Sequence, residues 1–547
     1  MSLTAFKLSR RALLAAATAL VLPLAALAET VPVQGGTLIY LDQQAHTALY
    51  PPAGGFYPNS GVLNQITDKL TWQNPATLEI EPWIAESWQI NADFTEFTFK
   101  IRPGVTFSDG TPLDAAAVAA NFDSYGLGKP EQNFRPSEVL NNYEKSEVID
   151  PLTVKFTFKK PSPGFLQGTS VIGSGLVAQA TLARKFDELG DATKVIGSGP
   201  FVVESETVGT EILFKAREDY NWAPKSFAHQ GRAYLDEIRL LIVPEDSVRI
   251  GALLSGQADV VRQIQAYDEA QITNAGFQLF APPTRGINNS VVFRPDNPLV
   301  ADVKVRQALL HGTDTKEIVS TIFSEHYPQA TSILASTAKG YVNLADKLAF
   351  DPVLAAKLLD EAGWALNKAG KREKDGKELI LIAYESLPQP QNRAMLQLIS
   401  QQWAKLGVVL NVLPGDAGTA TVDNLDPAKT PVSPAMVGRA DPDVIKSQYY
   451  PTNRNVLLQT GGVAAEVKNF SDAKLNGLLE GIASEVDPAK RLELVAEVQG
   501  YVVDQAYAIP IFEEPQVFAA APTISGVAFE AVGRPSFYNV SKDNATQ

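Results

Sequence analysis

The chain contains no cysteine, which removes most covalent and metal-held ways of organising a long polypeptide. No disulfide can staple it, no thiol can act as a nucleophile, and no thiolate site for zinc or an iron–sulfur cluster can form. No cysteine is available to carry a lipid anchor. The composition suits a packed core: 45% hydrophobic and 20% charged residues is the range of a soluble globular protein and excludes disorder as the main state. With 547 residues, the prior is about three folding units. The formal charge of −14 argues against nucleic acid as a partner, because phosphates are bound by surplus Lys and Arg.

The first 28 residues read as an export signal. Lys7, Arg10 and Arg11 form a basic start, Ala12 to Leu24 is apolar, and Ala26-Leu27-Ala28 is a small-x-small cleavage site before Glu29. The 17 residues from Ala12 to Ala28 are short for a bilayer span of ~20. Ser9-Arg10-Arg11-Ala12-Leu13-Leu14 also fits a twin-arginine signal, so that route and the general secretory route both stay open. Cleavage takes the formal charge from −14 to −17. The expected product is soluble and periplasmic.

Strand and helix signals alternate along the rest of the chain, which predicts a mixed α/β fold. Gly35 to Leu41, Phe94 to Ile101, Val154 to Phe158 and Asp236 to Val243 carry strand patterns. Asp114, Asp351-Pro352 and Asp487-Pro488 are helix starts, with Asp as N-cap and Pro at the first helical position. Val303 to Leu310, Lys316 to Phe323 and Ala394 to Leu406 read as further helices, and Ala508 to Phe512 as a closing strand. Gly415 to Pro434 is a long polar stretch of the kind that lines functional surfaces.

Catalytic and metal signatures are weak. Ser336-Thr337-Ala338-Lys339 matches S-x-x-K, but its S-D-N and K-T-G companions are missing. An exported serine hydrolase using Ser336 and Lys339 is therefore the rival from a different class. Gly173 to Ala178 matches G-x-G-x-x-A outside any βαβ context and reads as a tight turn into a helix. His46, His229, His311 and His326 form no paired metal motif. No catalytic residue, metal site or cofactor is assigned.

Six blocks in order resemble the dipeptide/oligopeptide/nickel-type solute-binding proteins of ABC importers, family 5. PWIAESWQINADFTEFTFKIRPGVTFSDGTPLDAAAVAANF, from Pro82 to Phe122, is similar to the family signature. Gly197 to Phe201 resembles its Gly-Thr-Gly-Pro-Tyr/Phe turn, and Leu254 to Asp259 its L-x-x-G-x-x-D. Asp302 to Ile318, Leu358 to Trp364 and Ile509 to Phe512 complete the order. The resemblance implies a type II, cluster C-like bilobal clamp. Its first lobe spans 29–75, 196–287 and 509–547, a subdomain at 76–195 is inserted in that lobe, and the second lobe spans 288–508. The lobes join near Asn288 and Ile509. Lobe closure on a ligand is then the event an importer distinguishes.

In peptide binders of this family an acid three residues before an Asp/Glu-Pro pair takes the peptide ammonium. The matching stretch here is Val437 to Asp443, and Gly438 stands where the acid is expected. Arg439 either offers a fork to a carboxylate or phosphate, or forms a structural ion pair. Asp441 either contacts ligand or caps the following helix. His46 and Trp72, near the lobe junction, and Asn288, at a crossing, complete the ligand-binding expectation. Most of the signature is structural: Asp109-Gly110 reads as a turn, and Arg306, Trp222 and Trp403 as packing residues. The resemblance thus implies a monomeric receptor, partnered by a permease and an ATPase. Its expected ligand is a small anionic or zwitterionic solute (a modified peptide, an opine or a metal chelate), with a conventional di- or oligopeptide as the alternative.

Overall fold

The computed structural model describes residues 32–385, 391–414, 423, 426–451 and 470–543. The expected export signal and half of the polar stretch Gly415–Pro434 lie outside these residues; Val432–Gly438, which overlaps the end of that stretch, is a strand.

A seven-stranded sheet forms one half of the molecule. Its order is Gln278–Phe280, Phe518–Ala520, Val260–Arg262, Thr37–Asp42, Glu237–Ile242, Glu211–Ala216 and Phe201–Thr207. Thr37–Asp42 is parallel to both neighbours and the remaining pairs are antiparallel. A four-stranded antiparallel sheet orders Ala85–Ile90, Glu96–Ile101, Thr153–Phe158 and Tyr143–Asp150. Its alternating Phe97, Phe99, Phe156 and Phe158 are buried around Phe165, and this core is continuous with that of the seven-stranded sheet.

The other half is more helical. A parallel pair, Ile380–Tyr384 and Val409–Leu413, packs with helix Gln391–Ala404. Helices Pro352–Glu361 and Pro488–Asp504 begin where the Asp-Pro signals place them, with the Asp side chain accepting from two backbone N–H groups in each case. Trp403 is fully buried there, and Arg306 donates to the Val300, Ala301 and Gln505 carbonyls rather than to a carboxylate.

A three-stranded antiparallel sheet orders Val432–Gly438, Gly286–Phe293 and Ala508–Phe512. Two segments far apart in sequence thus run side by side, Ser290 opposite Pro510 and Val291 opposite Ile509, with an irregularity at Asn289/Ser290. At the end of this sheet Gly286 has φ +100, and a Cβ would lie 2.4 Å from the Val437 carbonyl oxygen. Only glycine lets Val432–Gly438 come this close. Among the described residues no helix is long and apolar enough to cross a membrane.

Candidate functional site

The strand Val432–Gly438 ends at Gly438-Arg439, and helix Val444–Tyr449 follows within a few residues. This junction faces a cavity of about 360 Å³. Its opposite wall comes from helix Tyr57–Ile66, Trp72 and the turn at Glu530–Arg534, and a third side from Glu138 and Ile172. The site is therefore assembled from segments nearly 500 residues apart.

Each main wall holds an arginine with a carboxylate four residues away. Arg439 pairs with Asp443, and its Nη1 lies 3.9 Å from Glu138. Arg534 donates to Glu530 at 2.8 Å, within a turn closed by Gly533 at φ +79. Both guanidiniums are buried, and the Nε of each has no hydrogen-bond partner. Tyr57 lies beside both walls. Its hydroxyl donates to the Val532 carbonyl, and the guanidiniums of Arg534 and Arg262 stand 5.1 and 5.5 Å from its ring centre. Burial raises the Tyr57 pKa, so the phenol stays protonated.

Behind Arg439, two aspartates have different environments. Asp441 accepts both arms of Arg491, at 2.6 and 3.1 Å. Burial opposes its ionisation, but the Arg491 guanidinium outweighs burial and holds the carboxyl below its ordinary value. Burial instead pushes the Asp443 carboxyl up, against the pull of Arg439. Gly164 packs on this cluster so closely that a Cβ would lie 2.9 Å from Asp443 Oδ2.

Only part of the expected ligand set gathers here. Trp72 and Arg439 line the cavity. His46 does not: its Nε2 pairs with Glu206 at 2.7 Å, and the ring is buried away from the cleft. Asn288 is also elsewhere, donating to the Ser332 and Leu334 carbonyls at 2.9 Å. Asp441 does not line the cavity; its Oδ1 accepts from the Asp443 backbone N–H at 2.9 Å and its carbonyl from the Val444 N–H, so it caps the turn that opens the helix, as expected. Arg491 also holds its carboxylate, and the Asp443 side chain makes no capping hydrogen bond to Val444–Tyr449. Arg439 is a member of an ion pair and also lines the cavity. Glu138, Tyr57, Glu530 and Arg534 were missed because they lie outside the strand-end motif. The i, i+4 pair Glu530/Arg534 beside Gly533 was the available signal.

Ser336 and Lys339 are exposed, and the Ser336 hydroxyl donates to Glu513. Gly173–Ala178 is a 3₁₀ turn, Ile172–Ser174, leading to helix Gln179–Leu182, in keeping with a tight turn and not a dinucleotide loop.

An α/β clamp with a charged site enclosed between its walls defines a bilobal binding protein of the periplasmic type II class. The profile of bacterial extracellular solute-binding proteins, family 5 Middle, matches residues 79–452, and the chain belongs to that family. Glutathione-binding protein GsiB of Salmonella paratyphi A is 26% identical over 492 residues, covering 86% of this chain and 88% of its own. The dipeptide binding protein from Pseudoalteromonas sp. SM9913 in complex with Met-Leu superposes with TM-score 0.79 at 20% identity, covering 93% of this chain and 100% of its own. NikA from Brucella suis in complex with Fe(III)-EDTA gives TM-score 0.75 at 22% identity, with the same coverages. The family consists of substrate-binding receptors of ABC importers, which work with a permease and an ATPase; it and the fold are of binding proteins, not enzymes.

Proposed function

We propose that the chain is the periplasmic receptor for a small anionic or zwitterionic organic solute, such as a modified peptide, an opine or a metal chelate. The observation that carries this reading is the cavity wall at Gly438 and Arg439. A Cβ at Gly438 would stand 3.2 Å from the Tyr57 hydroxyl and 3.3 Å from the Thr284 carbonyl, so the position of the acid that takes the ammonium in peptide binders of this family carries no side chain here and is closely packed. Buried arginines face the cavity instead, and a charge entering a desolvated site needs an opposite charge there. The names of the relatives support a broad class, since they include glutathione, a dipeptide and a metal chelate.

In this reading the first lobe (29–75, 196–287, 509–547, with 76–195 inserted) closes on the second (288–508) about the paired strands Gly286–Phe293 and Ala508–Phe512. A monomer cleaved before Glu29 delivers the solute to a permease. The test is native mass spectrometry of the exported protein. A copurified small solute, recovered unchanged and able to shift tryptophan emission through Trp72, is the expected result. An empty protein that retains residues 1–28 and does not respond to solutes overturns it.

A further inference from the structure

Building on that receptor reading, we propose that Arg285 is a positioning residue for lobe closure: anchored on two carbonyls of the first lobe, it holds a left-handed backbone at the crossing that the closed clamp requires. Arg285 stands where the chain passes from one half to the other. Just before it, Pro283 bridges Pro515, and the Thr284 N–H donates to the Glu514 carbonyl at 3.0 Å. Just after it, Gly286 pairs with Gly438 and accepts from the Ala335 N–H at 2.8 Å. The φ angle is +47 at Arg285 and +100 at Gly286. Glycine enters this region freely, whereas a residue with a Cβ does so at a cost that its surroundings must offset.

The offset is visible in the side chain. Arg285 Nη2 donates to the Pro75 carbonyl at 2.9 Å, and Nη1 donates to the Ala531 carbonyl. Pro75 follows strand Thr71–Gln73, and Ala531 lies in the Glu530–Arg534 turn; Trp72, Gln73 and Ala531 all line the cavity. One guanidinium thus ties the crossing to two segments of the same wall. Ion pairing does not account for it: burial lowers the Arg285 pKa, and among the described residues no carboxylate opposes this. A hinge absorbs its rotation in a few dihedrals. With the guanidinium fixed at two points, the torsions of residues 285 and 286 set the direction in which Gly286–Phe293 leaves the first lobe. In the present arrangement segment 76–195 meets the Arg439 half, with Lys160 3.4 Å from Glu480 and Gly164 packed on Asp443. The left-handed pair at the crossing is the backbone that goes with that contact.

The test uses the full mature protein. It has no native cysteine, so Lys159→Cys and Lys490→Cys, exposed in segment 76–195 and in the Arg439 half, take two nitroxides, and pulsed electron spin resonance reads the distance between them. Distances are recorded on the protein as purified, and after unfolding and refolding with and without two probes, glutathione and Met-Leu. Arg285→Ala keeps the Cβ and loses the anchors. It should lengthen the as-purified distances and weaken whichever probe binds by about 5- to 30-fold. Arg285→Gly loses the anchors and the backbone cost together and should fall between Arg285→Ala and the wild type. Arg285→Lys, which can reach one carbonyl, should recover part of the loss. Should Arg285→Ala not fold, Arg285→Gln takes its place. A variant that melts lower while its distances and probe affinity stay those of the wild type makes Arg285 a brace of the first lobe and overturns the proposal. A glycine variant as open as the alanine variant overturns it too. In both cases the receptor reading stands, because a probe or the copurified solute still binds. If nothing copurifies and neither probe binds, the receptor reading fails, and this one with it.

Discussion

The two main walls of the cleft solve one local problem in different ways. Glu530 and Arg534 lie in a turn of the C-terminal segment, whose ends pair as Ala528–Phe529 with Pro535–Ser536. Arg439 and Asp443 lie between a strand end and a short helix. In each wall a spacing of four residues brings guanidinium to carboxylate, so the unit itself is local. Its net charge is not local, because Lys69 and Glu138 come from other parts of the chain. The charge balance of each wall depends on the residues that the fold brings in beside the local pair, Lys69 and Asp68 at one and Glu138 at the other. That makes the difference between the walls open to single substitutions.

The largest expected effect is on the cluster behind Arg439. Asp441→Ala leaves Arg491 buried without its bidentate partner. Removing one member of such a pair costs roughly 3–5 kcal/mol of stability. Urea unfolding with no ligand present should show that loss. A variant of unchanged stability that fails to bind the copurified solute would instead put Asp441 at the ligand and erase the contrast between a braced wall and a recognising one.

Next in size is Gly164→Ala. Gly164 has φ −77, so its backbone tolerates alanine, and the whole effect lies in the added Cβ near Asp443 Oδ2. Overpacking of this kind typically costs about 1–3 kcal/mol. Because the contact joins segment 76–195 to the Arg439 wall, the cost should fall on the closed state and appear as roughly 5- to 150-fold weaker binding of the copurified solute. Unchanged affinity with lower thermal stability would make the contact permanent, not part of closure.

Much of the scaffold was legible in the sequence because its signals are local. Asp114, Asp351 and Asp487 cap the helices they announce, and the alternating phenylalanines of Glu96–Ile101 point into the core. The site was legible at Gly438-Arg439, where a strand end marks it, and at Trp72 after the first helix. Glu138 and Arg534 carry no periodicity and acquire meaning only when distant segments meet. His46 shows the converse. It follows the first strand as a cleft residue would, but the Glu206 carboxylate draws its ring into an ion pair instead. Burial lowers the His46 pKa, but the hydrogen bonds to Glu206 and Thr47 and the nearby Glu206 and Asp191 charges together outweigh it and raise the value, a structural use of a residue type that sequence reading takes for a ligand.

A smaller effect concerns the floor under the Arg534 wall. Burial raises the Asp68 carboxyl to about 6, although Trp222, Ser198 and Tyr220 all donate to it. Its folded value therefore exceeds its unfolded value of 3.8, and between the two the native state holds a proton that the unfolded state has lost. Lowering the pH from 7 to 5 should let this group add about 1 kcal/mol to stability. Asp68→Asn lacks that contribution. The wild-type advantage over the variant in urea should thus grow by about this amount at pH 5. An advantage that shrinks on acidification would mean that the donors hold Asp68 ionised, as Arg491 holds Asp441.

The smallest effect tests whether exposed charges between segment 76–195 and the Arg439 half resemble the buried ones. Lys160 lies 3.4 Å from Glu480, with both side chains largely open to solvent. Water screens such a pair, and ordering two long side chains offsets much of the Coulomb gain, so pairs of this kind contribute about 0–1 kcal/mol. Lys160→Ala should change affinity for the copurified solute less than about fivefold, with the residual effect vanishing in about 0.5 M salt. Glu480 also accepts from the Tyr450 hydroxyl, so it keeps a partner and is not stranded by the substitution. A loss as large as that from Gly164→Ala, persisting in high salt, would place the closing energy in this rim contact. The buried Arg439–Asp443–Glu138 cluster would then be a consequence of closure and not one of its causes.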